Sequence, residues 1–163
     1  MSIALVRIDD RLIHGQVVVG WGQPLDIGFI VLVDDVVATS EWEQELYRMG
    51  TPPDMDVYFH AVSEVGEVLP KYEADRRAGI LLTGDIDSML RLVRDAGVRK
   101  VNLGGIHHRG DRKQKLRYVF LSPEEEDRLR EMSQLGATVT AQDVPAANPV
   151  ELEDVLRARA ATP

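Results

Sequence analysis

The chain has 163 residues, 44% of them hydrophobic and 28% charged, with a formal net charge of −8. This is the balance of one soluble globular domain, residues 1–163, long enough to bury a sizeable core. The acidic total and the lack of any long Lys/Arg run argue against nucleic acid, which is bound through clustered positive charge. The absence of cysteine excludes a disulfide framework, a thiolate nucleophile and a cysteine-ligated zinc site.

The first predicted element is an apolar strand over 3–8. It runs into Asp9-Asp10-Arg11-Leu12-Ile13-His14-Gly15, and a helix-like segment over 16–22 follows at once. The N-terminus enters this strand without the basic and apolar regions of a signal peptide, so a cytoplasmic location is expected. No apolar run approaches the ~20 residues needed to cross a bilayer, and no membrane insertion is expected. Further strands suited to a buried parallel sheet are predicted over 27–33, 56–59, 79–83, 100–103, 117–121 and 138–142. Between them, Ser40-Glu41-Trp42-Glu43 reads as a capping box for a helix ending near Gly50. Residues 85–96 place Ile86, Met89, Leu90 and Val93 on one face and end at Gly97. The polar stretch 106–115 reads as an exposed loop. Ser122-Pro123-Glu124-Glu125 is a second capping box, with Gly136 as the left-handed terminator. Asn148-Pro149-Val150-Glu151 repeats the pattern for a last helix. Alternating β and α elements with right-handed crossovers predict an α/β fold, an open, mainly parallel β-sheet with helices on both faces.

In such a sheet ligands bind beyond the carboxyl ends of the strands, which is where Asp9 to Gly15 falls. A neutral imidazole is a competent nucleophile towards phosphorus, which makes His14 the candidate catalytic residue. Arg11, three residues earlier, is placed to neutralise charge on a transferring phosphoryl group. Asp9 or Asp10 is suited to fixing the imidazole tautomer or pairing with Arg11. Gly15 would let the backbone pass close to a phosphate. Thr83 and Gly84, after the fourth predicted strand, are further phosphate-binding candidates, while Asp85 also reads as a helix cap. Asp34-Asp35 reads as a turn or cap. His107-His108 has no third ligand at sensible spacing, and no metal is expected. Arg109, Arg112, Lys113 and Lys115 form a small basic patch, either solvated or steering an acidic partner. His60 reads as structural, and Trp21 and Trp42 as packing residues on helices.

Residues 7–17, Arg-Ile-Asp-Asp-Arg-Leu-Ile-His-Gly-Gln-Val, resemble the active-site segment of enzyme IIB of the mannose/fructose/sorbose family of sugar phosphotransferase systems. The likeness continues through Ile30-Val-Leu-Val-Asp-Asp35, residues 49–53, Val101-Asn-Leu-Gly-Gly-Ile106 and Ala141-Gln-Asp-Val-Pro145. The resemblance implies that His14 takes a phosphoryl group from phosphorylated enzyme IIA and passes it to a sugar entering through membrane components IIC and IID. It implies Arg11 as charge partner, Asp9 as a supporting group, and no metal or organic cofactor. An alternative within the same family is a regulatory phosphorelay of an incomplete phosphotransferase system.

Three other classes are open to this sequence. A histidine-phosphatase-like hydrolase shares the His14-Gly15 pair, but Ile13 stands where its arginine belongs. A response-regulator-like module shares Asp9-Asp10, Thr83 and Lys100, but Tyr58-Phe59-His60 lacks the phosphoacceptor aspartate. A small-molecule binding domain would keep the crevice and take up no covalent phosphate.

Overall fold

The computed structural model describes residues 2–159. Its strands are β1 Ile3–Ile8, β2 Ile27–Val33, β3 Asp56–His60, β4 Ala78–Thr83, β5 Lys100–Leu103, β6 Lys113–Leu116, β7 Val119–Leu121, β8 Thr138–Ala141 and β9 Val150–Glu151. The helices are α1 Glu41–Met49, α2 Val65–Glu73, α3 Ile86–Asp95, α4 Pro123–Gln134 and α5 Leu152–Arg157, with a π-helical segment over Gln16–Trp21. Seven strands form one sheet in the order β3-β2-β4-β1-β5-β8-β9, parallel throughout except for β9.

The two-residue period of the strands assigns their side chains to faces. On β2, Phe29, Val31 and Val33 enter one core, while Ile30 and Leu32 enter the other. The first core is covered by α2, α3, α4 and α5, and the second by the π-helical segment and, through Tyr47, by α1. Gly79 is required by this packing, because a Cβ there would lie 2.3 Å from the Phe29 ring. The open, mainly parallel sheet with both faces covered is the architecture that the alternating pattern predicts.

Two terminators behave as the sequence indicates, with Gly97 at φ +75° and Gly136 at φ +98°. The Ser122 box also forms, its hydroxyl accepting from Glu125 N (3.2 Å) and Glu125 Oε1 from Ser122 N (3.0 Å). Ser40 caps α1 by position only, without a side-chain hydrogen bond.

Three expectations are corrected, and one helix was not foreseen. Residues 106–115 are not all loop: Lys113–Leu116 pairs antiparallel with β7, and Lys115 Nζ lies 3.0 Å from Glu126. Cross-strand partners stabilise this hairpin, and composition does not reveal them. The last helix starts at Leu152 and not at Asn148, because Val150 and Glu151 pair with Ala141 and Thr140. Helix α2, which no strong cap announces, follows β3. Trp42 is not a packing residue: it is 68% exposed, with Leu46 and Met49 on the same outward side of α1. That helix instead holds Gln44 inward, where its Nε2 donates to Val37 O at 2.9 Å.

Candidate active site

Strand register brings four loops together. Ile8 lies beside Thr83 on one side and Leu103 on the other, and Leu103 lies beside Ala141. The segments that begin at Asp9, Gly84, Gly104 and Gln142 therefore share one stretch of the carboxyl edge. The chain leaves β1 towards β2 and leaves β5 towards β8, in opposite directions along the sheet. A crevice opens where such connections diverge.

The loop after β1 is pinned from below. Asp9 N donates to Thr83 O (2.9 Å), Asp10 N to Gly105 O (2.9 Å) and Leu12 N to Asp9 O (2.9 Å). Leu12 adopts φ +59°, an uncommon conformation for a branched side chain. Its side chain holds it there by packing into the second core and against Gly84, where a Cβ would come within 2.9 Å of Leu12 Cδ2. Gly15 has φ −52°, which any residue adopts, so the loop does not need its conformational freedom. What glycine leaves at this position is open space, with no atom within 4 Å of a Cβ.

His14 Nε2 lies 3.2 Å from Asp9 Oδ1; the histidine side chain is 16% exposed and the aspartate 1%. The contact is at ion-pair distance but off the line of a hydrogen bond, and Nε2 is buried. Asp9 also accepts from Arg11 N (3.2 Å) and from Arg7 Nη2 (3.4 Å). Burial opposes ionisation of Asp9, but His14, Arg7 and the Arg11 amide together hold its carboxyl below the usual carboxylate range.

Arg7 is the residue that sequence reading missed. It is wholly buried on β1, on the face covered by the π-helical segment, with its guanidinium 4.9 Å from the Trp21 ring centroid. It donates to Asn102 Oδ1, Gln142 O (2.8 Å) and Asp143 O (3.3 Å) as well as to Asp9. Burial pulls its pKa below the ordinary arginine value, against the opposing pull of Asp9 and Asp143. Gly104 makes room for it, since a Cβ there would lie 2.4 Å from Arg7 Cζ. An arginine inside an apolar strand was the available signal, because a buried charge requires built partners.

Asp143 ties the crevice together. Its Oδ1 accepts from Gln16 Nε2 (2.9 Å), its Oδ2 pairs with Arg117 of the hairpin, and its carbonyl accepts from Trp21 Nε1 (3.2 Å). Gln16 Oε1 in turn accepts from Arg11 Nη2 at 3.2 Å, so the exposed Arg11 is held beside the His14 loop.

Of the other candidates, Thr83 is wholly buried with its hydroxyl on Asp85 O (3.3 Å), and together with Gly84 it forms the floor beneath the loop. Asp85 caps α3 through Ser88 N (2.6 Å), and Asp34 caps the turn after β2 through the amides of Val36 and Val37 (both 2.9 Å). His60 Nε2 pairs with the Tyr72 hydroxyl (2.7 Å) away from the crevice. The basic patch is partly neutralised internally, with Arg112 bonded twice to Glu125 and Lys115 paired with Glu126.

Arg7→Met removes the buried cation beside Asp9 and strands its acceptors. We expect a loss of about 3–5 kcal/mol, the usual cost of breaking a buried charge pair from one side. Urea unfolding followed by circular dichroism measures it, and a loss below about 1 kcal/mol, the scale of an exposed pair, would refute the anchoring role.

Fold and site together define an open α/β protein whose crevice at the strand carboxyl ends is built around a histidine backed by a buried aspartate and arginine. The family model for the PTS system sorbose subfamily IIB component matches residues 3–162. The sorbose-specific EIIB component of Klebsiella pneumoniae is 31% identical over 156 residues, covering 94% of each chain. The mannose-specific EIIAB component of Escherichia coli K12 is 30% identical over 160 residues, 96% of this chain and 49% of that longer protein. The crystal structure of the IIBSor domain of the sorbose permease from K. pneumoniae superposes with a TM-score of 0.84 at 30% identity, covering 96% of both chains. The chain belongs to the enzyme IIB components of the mannose/fructose/sorbose family, which are phosphotransferases of the phosphotransferase system.

Proposed function

We propose that His14 accepts a phosphoryl group from a phosphohistidine of enzyme IIA. It then passes the group to a sugar entering through IIC and IID membrane components of the mannose/fructose/sorbose type. The observation that carries this reading is the partly exposed imidazole whose buried Nε2 stands 3.2 Å from the Asp9 carboxylate. The nitrogen left facing the crevice is Nδ1, and phosphorus is taken up there. With Nδ1 phosphorylated, Nε2 carries the ring proton and Asp9 balances its charge. When the phosphoryl group leaves, a neutral imidazole is regenerated.

Donor and acceptor of the first step are both histidine phosphoramidates, so the equilibrium lies near balance and catalysis reduces to alignment and charge stabilisation. Arg11 supplies the charge, Gly15 the open space for the phosphoryl oxygens, and Thr83 and Gly84 the floor. This transfer needs neither metal nor organic cofactor. Among the described residues no helix is long and apolar enough to cross a membrane. On the present reading the permease is met by docking at its cytoplasmic face. The complexes with IIA and the permease are transient and electrostatically steered.

The test is intact-mass analysis after incubation with phosphoenolpyruvate, the general phosphotransferase proteins and a matching IIA. The expected result is one added phosphate, labile in acid and stable in alkali, with phosphorus–nitrogen NMR coupling at Nδ1 of His14. No phosphate in the presence of charged, bound IIA would overturn the carrier reading, and phosphate at Nε2 would overturn the assigned role of Asp9.

A further inference from the structure

We infer that His107 and Asp10 form a proton-accepting pair for the second half of the transfer, in which a hydroxyl attacks phospho-His14. This rests on the phosphocarrier reading of His14. Asp10 is the residue after Asp9 on the β1 loop, and both its oxygens engage one residue of the β5–β6 connection. Its Oδ2 accepts from His107 N at 2.7 Å, and its Oδ1 lies 2.6 Å from His107 Nδ1. Two bonds from one carboxylate to the amide and ring of the same histidine fix the ring and its tautomer. Nδ1 donates to Asp10, and Nε2 keeps its lone pair.

The pair stands at the crevice already described. A Cβ on Gly105 would lie 3.6 Å from Asp9 Oδ1 and 3.7 Å from His107 Cε1. Asp9 Oδ1 is in turn the atom 3.2 Å from His14 Nε2. His107 Cε1 and the aspartate behind His14 therefore both border Gly105, a residue without a side chain to separate the two loops. His107 is 59% exposed, so an entering acceptor reaches it. The charged and titratable groups around it are Asp10 on the ring, Asp9 and then His14 across Gly105, and Arg112. The Arg112 guanidinium donates to His107 O (2.9 Å) while held by Glu125 through two bonds.

The chemistry separates the two half-reactions. Transfer from one histidine to another is nitrogen to nitrogen, and no hydroxyl proton has to be removed. A sugar hydroxyl must lose its proton as it attacks. The oxygen–phosphorus bond forms, the phosphorus–nitrogen bond breaks with its electron pair remaining on His14, and the hydroxyl proton passes to His107 Nε2. Asp10 then balances the imidazolium. His107 is accordingly a catalytic residue for the hydroxyl acceptor alone.

The test charges the full-length protein through IIA and follows phosphate loss to two acceptors, water as the hydroxyl probe and dephosphorylated IIA as the nitrogen probe. In His107→Gln we expect loss to water to slow by about 10²-fold, the lower end of general base catalysis. Return of phosphate to IIA should keep its unmodified rate. Asp10→Asn should slow loss to water in the same selective way. Equal slowing towards both acceptors would mean that the pair only braces the two loops, and would overturn the inference. So would an unchanged lifetime in water. A protein that takes no phosphate on His14 before any acceptor is added overturns the carrier reading itself, and this inference with it.

Discussion

His14→Ala yields a folded protein that takes up no phosphate from charged IIA. The backbone of residue 14 does the structural work here, its carbonyl accepting from Val17 N (2.9 Å) and Val18 N (3.0 Å) to start the π-helical segment. Alanine retains that carbonyl. The lost imidazole is only partly buried, and Asp9 still has Arg7 Nη2 and the Arg11 amide. Stability should therefore change by no more than about 1 kcal/mol, the typical size of a point substitution without a cavity or a stranded charge. Intact mass and urea unfolding on the same sample check both parts. Phosphate persisting in His14→Ala would place the acceptor on His60, His107 or His108 and end the present assignment.

Arg11→Ala retains the nucleophile and should slow transfer by about 10³–10⁵-fold, the contribution of an arginine that stabilises the charge of a transferring phosphoryl group. The side chain is exposed and, among the described residues, bonded only to Gln16 Oε1 (3.2 Å), so the fold does not depend on it. Gln16 remains anchored to Asp143 in its absence. Arg11→Lys should recover only part of the rate, because an ammonium cannot offer two parallel donors to phosphoryl oxygens. Rapid-quench measurement of phosphate passing from IIA to His14 decides it: a rate equal to that of the unmodified protein would remove Arg11 from the chemistry. The opposite behaviour of Arg7 and Arg11 is informative. One is buried and should be measured in stability, the other is exposed and should be measured in rate.

The crevice was legible in part before any coordinates. Residues 3–8 end in Asp9, and the rule that ligands bind beyond strand carboxyl ends directs attention to His14. The capping box at Ser122 and the glycines at 97 and 136 mark helix ends because each acts on backbone groups within a few residues. The His14–Asp9 contact joins residues on one short loop, so it too was within reach of local reasoning.

What the sequence by itself determined is what short-range physics encodes: the segments that form the parallel strands β1 to β5 and β8, where α3 and α4 stop, and which loop carries the candidate histidine. Only the tertiary structure decided what surrounds that histidine. Arg7 reaches Asn102 across 95 residues and Asp143 across 136, and Asp10 reaches His107 across 97. These partners meet because β1 lies between β4 and β5, with β8 next to β5. Strand order is chosen by the burial of whole faces and not by any local motif. Buried charges take whichever partners that order brings to them, because in a dry interior an unpaired charge costs more than the fold can supply.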